Sequence, residues 1–204
     1  TNLYVADTSN NMIRKIVIST GVVTTLAGST SYGSTNGTGT SARFKYPKGI
    51  NTDGTNLYVV DTDNHMIRKI VISTGAVTTL AGSTSSGSTD ATGTSAKFKS
   101  PRGITTDGMN LYVADRDNHM IRKIVISTGV VTTLAGSTSS GSTDAAGTSA
   151  RFKYPKGITS FGTNIFVSDT NNHKIRKIAL RGTVTADVAM HNLDDDTDVT
   201  VSIA

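Results

Sequence analysis

The stretch Asn56-Leu57-Tyr58-Val59-Val60-Asp61-Thr62-Asp63-Asn64-His65-Met66-Ile67-Arg68-Lys69-Ile70 decides the fold, because the chain contains it four times. Its aspartate recurs as Asp7, Asp61, Asp115 and Asp169, and its arginine as Arg14, Arg68, Arg122 and Arg176. Each step is 54 residues, and residues 52–105 differ from 106–159 at only 8 of 54 positions. A fixed period of that size marks a repeat architecture, in which units bury apolar surface against their neighbours.

The composition narrows the class. The 204 residues include no cysteine, so no disulfide or thiolate metal site can form within the chain, and cysteine usage leaves the compartment open. The net charge of +5 is spread over all repeats, which permits a polyanionic partner without requiring one. No run of 18 apolar residues occurs, so no membrane-spanning helix is expected. No basic-then-apolar leader is present and Thr1 already lies inside a repeat, so the chain reads as a processed or truncated piece of something longer.

Within the second unit, four short strands alternate with turn residues. Residues 49–52 form the first, and Asp53-Gly54 makes a tight turn. Residues 57–60 follow, with Leu57 and Val59 on one side and Tyr58 and Val60 on the other. After the polar turn 61–65 comes a β-branched strand at 66–72, then Ser73-Thr74-Gly75, then a fourth strand at 76–81. Residues 82–97 form a long Ser/Thr/Gly loop that ends in Phe98-Lys99-Ser100-Pro101. Apolar residues on both strand faces suit a sheet sandwiched between two others. The expectation is all-β: a β-propeller built from four-stranded antiparallel blades, four repeats of 54 residues. Hairpin-length turns argue against a parallel solenoid, whose strands need long crossovers.

These residues also carry a resemblance. Pro-x-Gly-Ile, Asn-Leu-Tyr-Val-x-Asp and Asn-His-x-Ile-Arg-Lys-Ile, in that order, resemble the NHL repeat over residues 1 to about 180. Thr-Thr-Leu-Ala-Gly-Ser followed by Gly-Thr-x-x-Ala-x-Phe-x-x-Pro is similar to a long-repeat bacterial variety of it. The resemblance implies an NHL β-propeller, a family whose rings are typically six-bladed, and implies no particular chemistry. Residues 1–190 are expected to form the blades, the first lacking its innermost strand, and 191–204 a diverged tail with a closing strand at 199–203. Two readings stand. The chain is four blades of a larger propeller, or its last strand completes the first blade. An open array leaves edges that a second copy or further sequence would cover.

The sharpest polar set is the repeated Asp/Asn/Arg constellation: Asp7, Asp61, Asp115, Asp169; Asn64, Asn118, Asn172; Arg14, Arg68, Arg122, Arg176. Recurrence in every unit favours a hydrogen-bonded turn with an ion pair that fixes the blade, over an anion or ligand site. His65, His119 and His173 share the same period, but they follow the turn between strands two and three, away from the axis, and read as solvated turn residues. Asp61-x-Asp63-Asn64, Asp115-x-Asp117-Asn118 and Asp194-Asp195-Asp196 offer oxygens to calcium, yet the distal glutamate and the glycine of an EF-hand loop are missing, so no cofactor is assigned and calcium stays a weak alternative. Tyr32, Arg43, Lys45, Lys48, Lys97, Lys99, Arg102, Arg151, Lys153 and Lys156 flank the re-entry into each blade, toward the long-loop face, and are the candidate binding residues.

Three functions follow. The first is a non-enzymatic scaffold, exported to a cell surface, the periplasm or the medium, whose long loops bind a protein or glycan several blades at a time. The second is a metal-dependent lyase or hydrolase with a channel site, as in propeller lyases that resemble NHL proteins. The innermost strands offer it only Asn51, Thr52, Thr105, Thr106, Thr159 and Ser160. The third is polyanion binding on the basic face, which the resemblance raises because some NHL propellers bind RNA, although stacking aromatics are few.

Overall fold

Leu57, Tyr58, Val59 and Val60 are all buried, so their strand is covered on both faces. The same holds for Leu111, Tyr112, Val113 and Ala114. A sheet packed between two layers meets that condition, and in this chain both layers are sheets. In the computed structural model, which describes residues 1–180, four antiparallel sheets follow one another as a partial propeller.

The first sheet holds β1 (Asn2–Asp7), β2 (Met12–Val17) and β3 (Val23–Gly28). The second holds β4 (Gly37–Thr38), β5 (Pro47–Thr52), β6 (Asn56–Asp61), β7 (Met66–Val71) and β8 (Ala76–Gly82), in the spatial order β4-β8-β7-β6-β5. The third holds β9 (Ile104–Thr106), β10 (Asn110–Asp115), β11 (Met120–Val125) and β12 (Val131–Gly136). The fourth holds β13 (Pro155–Phe161), β14 (Asn164–Asp169) and β15 (Lys174–Ala179). Four strands per blade therefore describes the third sheet, whereas the second gains a fifth strand and the first and fourth show three each among the described residues. The expected closing strand at 199–203, Asp194 to Asp196 and His191 lie outside the described residues.

The core lies between sheets. Ile13, Ala27 and Phe44 meet Leu57, Val59 and Ile70 between the first and second. Tyr58, Val60, Ile67 and Phe98 meet Ile104, Leu111 and Val113 between the second and third. Tyr112, Ile121 and Phe152 meet Ile165 and Val167 between the third and fourth. The innermost strands β5, β9 and β13 pack side by side. Gly49 abuts the backbone carbonyl of Arg102, and Gly103 that of Lys156, so a side chain at either glycine would force these strands apart.

The fifth strand of the second sheet comes from the loop before it. Gly37 and Thr38 pair with Val77 and Ala76, and the Gly39 amide donates to the Gly75 carbonyl at 3.0 Å. The next loop repeats this on the third sheet, where Thr92 bridges to Val130 and the Gly93 amide donates to Gly129 at 2.9 Å. Each loop thus leaves one face, runs down the rim of the following blade to its far turn, and returns through buried Ala42 and Phe44, or Ala96 and Phe98. The expectation of long loops displayed on one face is corrected accordingly: they cover the outer edge of a neighbour, as exposed sheet edges require.

Candidate functional site

The repeated polar set is built on a single 3-10 turn, Thr62–Asn64, that ends at His65 with φ 58°. Asp61 precedes the turn and is fully buried. Its Oδ1 accepts from the Lys45 amide at 2.7 Å, and its Oδ2 accepts from Asn64 Nδ2 and from Arg68, each at 2.8 Å. The Arg68 guanidinium also donates to the carbonyls of Arg43 and Thr35 and to Asn36 Oδ1, at 3.1, 3.2 and 2.8 Å. It lies 5.2 Å from the centre of the Phe44 ring. Asn36, Arg43 and Phe44 belong to the loop that arrives from the preceding unit, so Arg68 joins that loop to its blade.

The third and fourth units repeat this joint. Arg122 pairs with Asp115 at 2.9 Å and with the loop residue Asp90 at 2.5 Å, over Phe98. Arg176 pairs with Asp169 at 2.9 Å and Asp144 at 2.5 Å, over Phe152. Asn118 and Asn172 repeat the part of Asn64. In the first unit Arg14 meets Asp7 at 3.2 Å, with the arginine side chain 30% exposed rather than 0% as for Arg68 and Arg122. Burial pushes the Asp61 and Asp115 carboxyls up, Asp115 to about 6, against the pull of their donors. Both oxygens of Asp61 are therefore engaged internally. Among the described residues no three His, Asp or Glu side chains gather in metal-binding geometry.

His65 and His119 are not solvated turn groups, which corrects their sequence reading. His65 Nδ1 accepts the Ser100 amide at 3.1 Å, and His119 Nδ1 accepts the Tyr154 amide at 3.2 Å. Asn11, which stands at this position in the first unit, accepts the Tyr46 amide through Oδ1 at 2.9 Å. Each bond crosses from one unit to the next. His173, in the last described unit, is exposed.

The basic candidates divide into three groups. Arg43 donates to the carbonyls of Thr40 and Ala42, Arg151 to those of Thr148 and Ala150, and Lys97 Nζ to Ser83 Oγ at 2.6 Å, so these three pin their own loops. Lys45 lies 5.6 Å from the centre of the exposed Tyr32 ring, and Lys99 and Lys153 are exposed. Lys48, Arg102 and Lys156 stand apart at the start of the inner strands. Register shifts in the β5–β6 and β13–β14 pairs put Lys48 and Lys156 on bulges, a feature that re-aims side chains. Deeper along the axis, Thr105 Oγ1 and Ser160 Oγ share a hydrogen bond of 2.9 Å.

Two groups escaped the sequence reading. Asn36, Asp90 and Asp144 recur at 54-residue spacing in the loops, 32 residues before the arginines they meet, and that shared spacing was the available signal. Arg116 pairs with Asp117 at 2.6 Å and stacks 4.9 Å from the centre of the Tyr154 ring. It has no counterpart in the other units, so periodicity could not reveal it.

No protein-family model matches the chain. NHL repeat-containing protein 2 of Bos taurus is 33% identical over 142 residues, covering 64% of this chain and 20% of that protein. The chain thus spans about a fifth of the length of the curated relatives it matches there, at 20%. A solved auxiliary nutrient binding protein from Bacteroides thetaiotaomicron matches with a TM-score of 0.66 and 22% identity, over 86% of this chain and 44% of that one. A chain from a nidogen/laminin complex matches with a TM-score of 0.62 and 18% identity, over 88% and 55%. At those identities the two structures speak for the fold alone. The 54-residue units of this chain are thus similar in sequence to NHL repeat-containing proteins, and its four sheets form a partial β-propeller.

Proposed function

We propose that the chain is a non-enzymatic interaction scaffold that binds a protein or a glycan on the face carrying the 3-10 turns and the loop re-entries. The observation that carries this reading is the division of polar groups within each unit. The buried Asp/Asn/Arg set holds blades together, while Lys45, Lys99 and Lys153 recur at 54-residue spacing with side chains turned to the surface. Near-identical groups at a fixed spacing favour a partner engaged at several blades at once. The matched structures include one named for nutrient binding and one from a nidogen/laminin complex, which agrees with a binding role for this fold. Presentation at a cell surface or in a periplasm suits such a scaffold.

Loop deletion is the wrong test, because the loops seal the blade rims. The direct test is to probe glycan and peptide arrays with the labelled chain, as wild type and with Tyr32, Lys45, Lys99 and Lys153 all changed to alanine. The reading expects saturable binding to one ligand class, weakened about tenfold in the variant at unchanged melting temperature. Silent arrays, or binding that ignores the four substitutions, would reject it.

A further inference from the structure

Three cations stand at the entry to the three innermost strands, one per unit at 54-residue spacing: Lys48 and Lys156 within the first residues of β5 and β13, and Arg102 just before β9. The backbones that carry them touch, since Gly49 abuts the Arg102 carbonyl and Gly103 abuts the Lys156 carbonyl. The three therefore meet at the axial mouth on the loop face. None of the three forms a salt bridge among the described residues. Arg116 adds a fourth cation, already paired with Asp117, and Asp63 is the other carboxylate within electrostatic reach of Lys48. Burial lowers the Lys48 pKa, and repulsion from Arg102, Arg116 and Lys156 lowers it further, against the pull of Asp63. Four cations against two carboxylates leave the mouth with a net positive charge that the fold itself does not neutralise.

We propose that this axial cluster binds the carboxylate side chains of an acidic protein segment, an inference that rests on the scaffold reading and names its ligand. Arg102 offers a planar fork that fits a carboxylate through two hydrogen bonds, and the flanking lysines supply point charges for its neighbours. A nucleic acid fits less well. The cluster is compact, whereas a continuous phosphate chain is bound along an extended run of cations. Successive bases also need successive exposed rings. Of the two tyrosines that precede these strands, Tyr154 already carries Arg116 and the edge of His119, which leaves Tyr46 alone.

The test uses a fluorescein-labelled octaglutamate peptide and the 204-residue chain, followed by anisotropy. The axial variant carries Lys48→Met, Arg102→Met and Lys156→Met, which keep the aliphatic stems. The control variant carries Lys69→Ala, Lys123→Ala and Lys177→Ala, which remove the same charge at the same 54-residue spacing from β7, β11 and β15. The expected result is binding by wild type, a loss of about tenfold or more in the axial variant, and a change of about threefold or less in the control. Thermal melts establish that both variants fold. Should the axial variant not fold, the single changes Lys48→Gln and Lys156→Gln replace it, each with an expected loss of about threefold. Equal losses in both triple variants would mean diffuse charge and overturn the assignment, as would no binding by wild type. Tighter, cluster-dependent binding of oligouridine would overturn it in favour of nucleic acid. Array binding that survives in the axial variant, with octaglutamate unbound, would leave the scaffold reading standing and remove this inference alone.

Discussion

Asn11, His65 and His119 occupy one repeat position and accept the same backbone amide of the following unit. They also share a left-handed backbone, with φ of 55°, 58° and 58°, a region in which Asn and His are enriched. An asparagine oxygen accepts at any pH. An imidazole accepts through Nδ1 only while neutral, with its proton on Nε2. Burial lowers the His65 and His119 pKa below 6.5, against Asp63 and Asp117. The folded chain then binds fewer protons than the unfolded chain. Their contribution is complete above 6.5 and is lost as pH falls below it toward the folded pKa. Changing both histidines to asparagine should leave stability near pH 7.5 within about 0.5 kcal/mol and make the variant the more stable protein near pH 5. Alanine at either position should cost about 1–3 kcal/mol, because it orphans an amide. Urea midpoints at the two pH values check this, and parallel pH profiles for wild type and the asparagine variant would contradict it.

At the scale of the blade, one sequence motif has two energetic weights. Arg122 and Asp115 are both wholly buried, so Arg122→Ala leaves an unpaired carboxylate and should cost about 3–5 kcal/mol. Arg14→Ala changes the same residue of the motif, but the Arg14–Asp7 pair is partly exposed and should cost about 1 kcal/mol or less. Equal shifts in denaturation midpoint would contradict the joint described for the later units. Asp90 tests the loop side of that joint, since it holds Arg122 and accepts from the Thr133 amide and hydroxyl. Asp90→Asn should be mild, because Asn36 stands in the equivalent place, whereas Asp90→Ala should cost about 1–3 kcal/mol. Much of the blade was legible from local pattern. The alternation of Leu57 to Val60 fixes both packed faces, and Asp61, Asn64 and Arg68 stand close enough in sequence to suggest one turn. The loop was not legible, because Ser, Thr and Gly carry no periodicity. Its instructions sit in Asn36, Ala42 and Phe44, which act across a unit boundary. His65 and His119 were misread for the same reason: their partners lie 35 residues away, in the next blade.

Across the whole molecule, identical residues divide into buried and exposed by which unit carries them. Leu57 and Val59 are shielded by the first sheet, but their counterparts Leu3 and Val5 are 53% and 40% exposed. Ile13, Ile67 and Ile121 are fully buried, while Ile175 is 74% exposed. The outward face of the first sheet and that of the fourth thus match the two sides of an interface that the chain already makes three times between its own blades. Surfaces related in this head-to-tail way are complementary to each other, and association through them buries apolar area at both. The expected outcome for the 204-residue chain is a mass above 21.3 kDa by light scattering, rising with concentration. Leu3→Lys with Val5→Lys should return it to 21.3 kDa, because two charges on that face cannot be buried without partners. Ile175→Lys should do the same from the other side, and mixing the two variants should restore a dimer and nothing larger, since each supplies one intact face and the head-to-tail pair has none left for further growth. A wild-type mass of 21.3 kDa at every concentration would mean that the chain shields these faces itself, and the two lysine variants would then lose stability instead of changing mass.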